Sequence, residues 1–480
     1  MNHTLIGGAC AEPKCALSLL VLAWRAIYYG APMAKAQIYI DVSSLLRWTG
    51  PAVGMMRVEH EVATRAGFGF DDVSLCFYDI STNSYRSLRP RHAKRLVGWR
   101  ARLQPPIPAR VGWKRLLPNR AKLLLLLERW RLTTRNSKTA DLMDRLQRLV
   151  LSVRAHRFPI DDEHGRLDIV PVDLAIGEPL LLTSNDTVLS LASDWWQKDM
   201  AEIARLKKLS GFRMVALCYD IIPLQFPKFF PADDVSLFRS HWEVMFRIAD
   251  MVLVNAPQIA RDIQQFCSTF GHVPPPTTVV PLGSDQPDQR LSTLQLGHHL
   301  QPEKFALFVS TIEPRKNHAL LLRVWKRLLA DGIVQAAQFR LVFVGRRGWL
   351  VDDVQAAIDN VEAFSGTVLH LDRVDDSELS TLYACAAFCL YPSFYEGFGL
   401  PVIEAMARGK AVLSSNGGAL AELTDGLSPD DDEQWYQRIA EWINFPERAR
   451  DAARKNAVNF KNRPWSIVVN EIISATRTLA

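Results

Sequence analysis

Short apolar strands alternate with amphipathic helices along most of this chain, and each strand runs out into a loop of polar residues or glycine. In the first half "AQIYIDVSSLL", "DVSLCFYDI", "TVLSLASDWW", "FRMVALCYDIIP", "MVLVNAP" and "TTVVPLG" read as strands, with helical spacing in "TGPAVGMMRVEHEVATRA" and "SLFRSHWEVMFRIAD". In the second half "FALFVSTIEPRKNHALLLRVWKRLL", "FRLVFVGRRG", "TVLHLDRVDDSELSTLYACA" and "AFCLYPS" repeat the strand, loop and helix order. That rhythm implies right-handed crossovers and a parallel sheet in each half, an α/β architecture of two doubly wound sheets facing a cleft. Ligands of such sheets bind beyond the carboxyl ends of the strands. Every polar motif of this chain falls there.

At 480 residues the chain can hold two or three domains, and 48% apolar with 22% charged residues is a globular composition. Its seven cysteines are scattered without zinc spacing, so they read as free thiols of a reducing compartment. The spacing of Cys385 and Cys389 allows one helical face, but buried core positions fit them better. No run reaches the roughly 18–20 apolar residues of a spanning helix; the closest, Ala16–Trp24, is cut short by Arg25. Residues 1–34 are set apart as an extension, either a weak membrane contact or a stretch ahead of a start at Met33.

Charge is unevenly spread. Residues 85–158 hold 20 Lys+Arg against 3 Asp+Glu, a surplus of +17 in a chain of net +6, so the remainder carries 6 − 17 = −11. "RPRHAKRLVGWRARL" and "WKRLLPNRAKLLLLLERWRL" interleave Trp and Leu with Arg, the pattern of a helix lying on an anionic membrane. A solvated basic insertion without a partner is the alternative. No nucleic-acid-binding module accompanies the charge.

Five loops carry candidate chemistry. In "YPSFYEGFGLPVIEAMARGKAVLSS" a buried strand ends at Tyr391, Pro392–Gly399 form a loop, and Leu400–Ala407 form a helix with Pro401 in its first turn. Gly397 and Gly399 admit a ligand close to the backbone, and the helix-start amides face negative charge. Glu396 precedes that start and Glu404 lies about one turn inside it, so the two carboxylates need not face one atom; a capped helix with a solvated Glu404 is equally compatible. In "STIEPRKNHALLL", Arg315 and Lys316 stand between a strand and a helix, where cations oppose the dipole and so ask for an anion. Fixed cations there would stabilise a departing diphosphate in the transition state. "TGPAVGMMR" is a weaker anion loop, with Gly50, Gly54 and Arg57, and matches no dinucleotide or Walker fingerprint. In "CYDIIPLQFP", Asp220 would orient an acceptor hydroxyl or cap the next turn. "FVGRRG" puts Gly345 at a strand end, open to phosphate or sugar. His318 and His370 lack partners at metal spacing and read as structural, so no metal site is assigned.

These residues resemble the retaining GT-B glycosyltransferases of family four, marked by a Glu, seven residues, Glu motif. The resemblance runs continuously from about Phe305 to Glu422 and more loosely through "IDVSSLLRWTGPAVGMMRVEHEVA", "YDIIPLQFPKFF" and "ADMVLVNA". It implies two Rossmann-like domains: 35–295 on the acceptor side, with the basic insertion 85–158, and 300–462 binding a nucleotide sugar. "NRPWSIVVNEII" resembles the helices that cross back to the first domain, here 463–480. The resemblance further implies that Glu396, with Gly397, Phe398, Gly399 and Leu400, holds the donor sugar, that Glu404 grips the ribose, and that Arg315 and Lys316 bind the diphosphate. Arg373 and Val374 would border the base, with Gly345 and Gly54 beside the donor. Transfer would retain configuration without a metal, the leaving phosphate oxygen taking the acceptor's proton. Three departures stand out: Pro51 and added residues in the glycine loop, Tyr219 where many relatives carry His, and a short segment after "AELTDG".

"YDIIPLQFPKFF" with "EPRKN" is similar to the branch of bacterial mannosyltransferases that build exopolysaccharides and lipopolysaccharide O-chains. That similarity implies GDP-mannose as donor, a polyprenyl-diphosphate-linked oligosaccharide as acceptor, and a place on the cytoplasmic face of the membrane through residues 85–158. Another nucleotide sugar, a glycoside hydrolase using Glu396 and Glu404 as its carboxylate pair, and a non-catalytic scaffold of the same fold are the alternatives.

Overall fold

A computed structural model describes residues 36–47, 54–98, 101–103, 168–170, 175–191, 195, 198–284, 296–372, 374–459 and 463–479. Residues 1–34, Gly50, Pro51, Arg373 and 104–158, on which several expectations fall, lie outside the described residues.

The first half supplies β1 (Ile38–Asp41), β2 (Val73–Asp79), β3 (Ser84–Leu88), β4 (Ala101–Leu103), β5 (Asp168–Val170), β6 (Ile176–Pro179), β7 (Thr187–Ser190), β8 (Arg213–Cys218), β9 (Met251–Val254) and β10 (Thr277–Val279). Eight of these form one sheet in the order β10-β9-β8-β7-β1-β2-β3-β6, while β4 and β5 pair apart. β1 lies between β2 and β7, parallel to both, so the strand order turns there. Among the described residues, the second half supplies β11 (Phe305–Val309), β12 (Arg340–Val344), β13 (Val368–Leu371), β14 (Phe388–Tyr391) and β15 (Ala411–Ser414), in the order β13-β12-β11-β14-β15, all parallel. Its turning point is between β11 and β14, the crevice that open α/β sheets use for ligands.

The first sheet is not wholly parallel, contrary to the sequence reading. β3 runs antiparallel to β2, and β6 antiparallel to β3. Only Ile80–Asn83 separate β2 from β3, too few for a crossover and enough for a hairpin. The turn is fixed by Asp79, whose Oδ1 accepts from Ser81 N and Oγ at 3.0 and 2.6 Å, and by Asn83 in the left-handed region at φ 48°.

The basic segment also begins later than its composition suggests. Leu88 ends β3, and the Pro90–Val97 helix that follows buries Ala93, Leu96 and Val97 in the first core. Its apolar side therefore faces protein. Arg86 is held by Asp79 at 3.2 Å and by the Gly177 carbonyl at 2.9 Å. Among the described residues, no helix is long and apolar enough to cross a membrane.

Cores cover both faces of the first sheet and fill the second unit around Phe308, Trp325, Phe343 and Tyr383. The Trp465–Arg477 helix crosses back from the second unit to the first. Trp465, Val468, Val469, Ile472 and Ile473 enter the core beside the Met55–Ala66 helix. Each such side chain stabilises by about 1.5–3 kcal/mol when fully buried. Arg477 closes the contact with a two-pronged pair to Asp72 at 2.8 and 2.6 Å.

Candidate active site

The loops after β11 and β14 meet because those strands are neighbours at the turning point of the second sheet. After β11, Pro314–Lys316 form a single 3-10 turn, and Asn317 in the left-handed region at φ 60° starts the His318–Ala330 helix. The Asn317 amide donates to the Pro392 carbonyl at 3.2 Å, tying this loop to the loop after β14, and to the Pro429 carbonyl beyond β15 at 2.8 Å. Arg315 then donates to Glu396 Oε2 at 2.8 Å, to the Tyr395 carbonyl at 2.7 Å and to Glu313 Oε1 at 2.5 Å. Lys316 Nζ reaches the other oxygen, Glu396 Oε1, at 2.5 Å.

Two cations on one carboxylate settle its charge. Burial alone would push the Glu396 pKa up; Arg315 and then Lys316 outweigh it, and the value falls to about 2. Glu396 is an anion at any working pH. Arg315 feels the converse: burial opposes its charge, but Glu396, Glu313 and Asp220 raise its pKa. The two cations at this helix start are met from within the protein, contrary to the expectation from sequence. Arg315 and Lys316 already face Glu313 and Glu396, so their placement at a helix start does not by itself demand an external anion.

Asp220 comes from the opposite unit, at the carboxyl side of β8, and its Oδ1 caps the next turn by accepting from Ile222 N at 3.0 Å. It stands against Gly397: a Cβ there would lie 2.5 Å from the Tyr219 carbonyl oxygen, 2.8 Å from Asp220 Cβ and 3.1 Å from its Oδ2. Burial raises the Asp220 pKa, opposed by Arg315 and reinforced by Glu396 and Glu313. Glu396, Arg315, Lys316, Gly397 and Asp220 thus form one cluster across the cleft.

The other expected residues lie apart from this cluster or pack elsewhere. Glu404, in the helix Leu400–Ala407, pairs with Arg57 of the first unit at 3.4 Å and accepts from Tyr383 Oη at 3.4 Å. Burial raises its pKa against the pull of Arg57 and Arg408. Gly54, at φ 54°, begins the helix that carries Arg57. Phe398 and Leu400 turn their side chains into the first unit's cores, joining the two halves through apolar contact. Gly399, at φ 89°, caps the helix start, where a Cβ would press Leu420 at 2.8 Å. Gly345, at φ 142°, lies so close to the loop after β11 that a Cβ would meet the Ser310 carbonyl oxygen at 2.1 Å, and its own carbonyl accepts from His370 Nε2 at 2.7 Å. Val374 packs on the second core. His318 is buried beside Phe308 and Phe343, and burial lowers its pKa to about 3.

Sequence reasoning missed Glu313, although it stands two residues before Arg315 in the quoted motif. It also missed a buried polar group at the carboxyl ends of β1 and β7 in the first unit. There Asp41, ending β1, pairs with Lys198 at 2.8 Å, and Lys198 also donates to Ser190 Oγ, ending β7, at 2.9 Å. Ser43 N and Oγ donate to Asp41 Oδ1 at 3.0 and 2.5 Å. An isolated Asp in a strand end gives no hint of a buried partner far along the chain.

Residues 297–459 match the family model described as glycosyl transferases group 1. That match spans the second unit. The protein is similar to O-antigen chain mannosyltransferase B of Escherichia coli, 29% identical over 276 residues, covering 56% of this chain and 71% of that protein. It is also similar to the serotype-specific mannosyltransferase WbdA of Escherichia coli, 24% identical over 304 residues, 58% of this chain but only 36% of that longer relative. The crystal structure of Anabaena Alr3699/HepE in complex with UDP and glucose superimposes with a TM-score of 0.55 at 15% identity, covering 92% of this chain and all of that one. That likeness shows the GT-B fold across both halves.

Proposed function

We propose that this protein is a glycosyltransferase of bacterial surface-polysaccharide synthesis that moves mannose from GDP-mannose to a lipid-linked oligosaccharide, with retention of configuration. The observation that carries the reading is the ion cluster at the crevice: Glu396 held by Arg315 and Lys316 and facing Asp220 of the other unit. The mannosyltransferases among its relatives support the sugar.

In this reading the Glu396 carboxylate, kept ionised, accepts hydrogen bonds from donor-sugar hydroxyls. Lys316, a compact charge on a flexible stem, turns toward the diphosphate as the bond to C1 breaks and charge builds on the leaving oxygen. Arg315 is anchored on three acceptors and fixes the field around that oxygen. Glu404 exchanges Arg57 for the ribose hydroxyls, and the backbone from Gly397 to Leu400 lines the donor, with Gly54, Gly345, Arg373 and Val374 around its nucleotide. The acceptor oxygen bonds to C1 on the face the diphosphate leaves, and its proton passes to the departing phosphate oxygen. Asp220 orients the acceptor hydroxyl, and the protein cations rather than a metal take the departing charge. Residues 104–158 hold the enzyme on the anionic inner face of the membrane.

Calorimetry across GDP-, UDP- and ADP-sugars tests the donor: GDP-mannose binds tightest, and a preference for UDP- or ADP-sugars overturns the mannose assignment. Removal of residues 104–158 is expected to release the protein from phosphatidylserine vesicles at moderate salt. Unchanged binding overturns the membrane assignment.

A further inference from the structure

The loop that carries Glu396 is held from two sides, and one side belongs to the other unit. Within its own unit the loop is bonded to the turn after β11, with Phe394 N donating to the Arg315 carbonyl at 2.9 Å. It is also bonded to the Asn416–Ala419 segment, with Ala419 N donating to the Glu396 carbonyl at 2.9 Å. Across the cleft the two residues before Glu396 act differently. The Phe394 ring stacks on Phe229 with centroids 5.1 Å apart and planes 20° from parallel. Tyr395 sets its ring 5.1 Å from Phe226 and donates its hydroxyl to Asp262 Oδ2 at 2.5 Å. Asp262 is only 3% exposed, on the Pro257–Thr269 helix of the first unit, and its other oxygen accepts from Gln258 Nε2 at 2.8 Å.

Tyr395 cannot drift while this bond stands. Its ring lies against Gly418, where even a methyl would come within 2.7 Å of it, and its carbonyl accepts from Arg315 at 2.7 Å. One residue therefore touches the first unit with its side chain and the Glu396 cation cluster with its backbone. The Tyr395–Asp262 bond thus anchors the peptide before Glu396 to the first unit.

We propose that Tyr395 is a positioning residue through which closure of the first unit, felt at Asp262, sets the Glu396 loop for transfer. The proposal rests on the glycosyltransferase reading above and adds to it a specific link between domain closure and chemistry.

The test uses Tyr395→Phe, Asp262→Ala and Asp262→Asn in the full-length protein, with sugar-transfer rates, calorimetric GDP affinity and thermal unfolding. Tyr395→Phe keeps both ring contacts and removes the hydroxyl, with its bond to Asp262 and its contacts to Gln258 and Gln225. It is expected to lower kcat about tenfold or more, the effect of a hydrogen bond to a charged group, with GDP affinity within about twofold. Asp262→Ala should match it, the double variant should be no slower than either single one, and Asp262→Asn, whose amide oxygen still accepts the hydroxyl, should recover most of the rate. Equal losses in kcat and GDP affinity, multiplicative losses in the double variant, or an Asp262→Asn enzyme as slow as Asp262→Ala would each overturn the proposal. Wild-type protein that transfers no sugar from any nucleotide donor would instead overturn the activity on which it rests, so the two failures are distinguishable.

Discussion

Adding one methyl group at Gly397 tests whether the closed cleft is the working form. The backbone of Gly397 is not in the left-handed region, so alanine meets no conformational penalty of its own. Its Cβ would stand 2.5 Å from the Tyr219 carbonyl oxygen, whereas ordinary contact begins at 3.4 Å, so the surfaces must part there by 3.4 − 2.5 = 0.9 Å. A backbone carbonyl at a buried strand end does not yield as a flexible side chain would. Overpacking of this size costs about 1–3 kcal/mol, which corresponds to a rate loss of about 5- to 150-fold if the closed form alone reacts. The clash is with backbone across the cleft rather than with a core side chain, so the side-chain packing within each unit is kept. Gly397→Ala is therefore expected to lose transfer rate in that range while its thermal midpoint moves by only about 1–2 °C. Initial rates with saturating donor and a scanning calorimeter measure both. A variant with wild-type rate would show that these surfaces need not touch during catalysis. A large fall in the thermal midpoint would show that the contact is core packing instead.

Glu396→Gln removes the charge that occupies Arg315 and Lys316. Transfer should fall about 100-fold or more, while GDP binds as tightly as in the wild type or more so, because two cations are released to phosphate; weaker GDP binding would contradict the cluster's role. Lys198→Met leaves Asp41 buried without its cation and should cost about 3–5 kcal/mol in chemical denaturation, with Asp41→Asn added to the same variant recovering part of the loss. In pH, the Glu396 pKa falls from 4.5 to about 2, so its contribution to stability is complete above 4.5 and is lost as pH falls toward 2. Asp220 shifts the other way, protonating at higher pH than an ordinary aspartate, so its ionisation weakens the fold as pH rises. Any acid limb of the rate profile belongs to the raised carboxyls Asp220 and Glu404 rather than to Glu396, and Asp220→Asn should remove the part that Asp220 contributes.

How far the sequence could be read depended on the range of the interaction. Strand, loop and helix around Pro401 follow from local rules, and the Leu400–Ala407 helix stands where its proline and preceding glycine place it. The parallel order of the second sheet follows from its regular strand–helix alternation. The β2–β3 hairpin was encoded locally too, in the "DISTNS" turn, but the arginines that follow it drew the reading toward a surface insertion. Their neighbours Ala93, Leu96 and Val97 show how a strongly charged helix still buries a narrow apolar edge. Pairings across the cleft had no local trace. Arg57 with Glu404, and Tyr395 with Asp262, unite residues hundreds or more than a hundred positions apart. Only the assembled fold brings those side chains within reach, so periodicity and motif spacing carry no signal of them.

The returning helix has a consequence for how the chain is made. Trp465 and the valine and isoleucine side chains from 468–473 complete a hydrophobic interior whose other fully buried members are synthesised before residue 283. On the ribosome, that interior waits, with one wall open, through the whole of the second unit's emergence. Domain-by-domain maturation from the amino end is thus unavailable to this protein, and a chaperone that shields the Met55–Ala66 face during translation would raise its yield more than one acting after release.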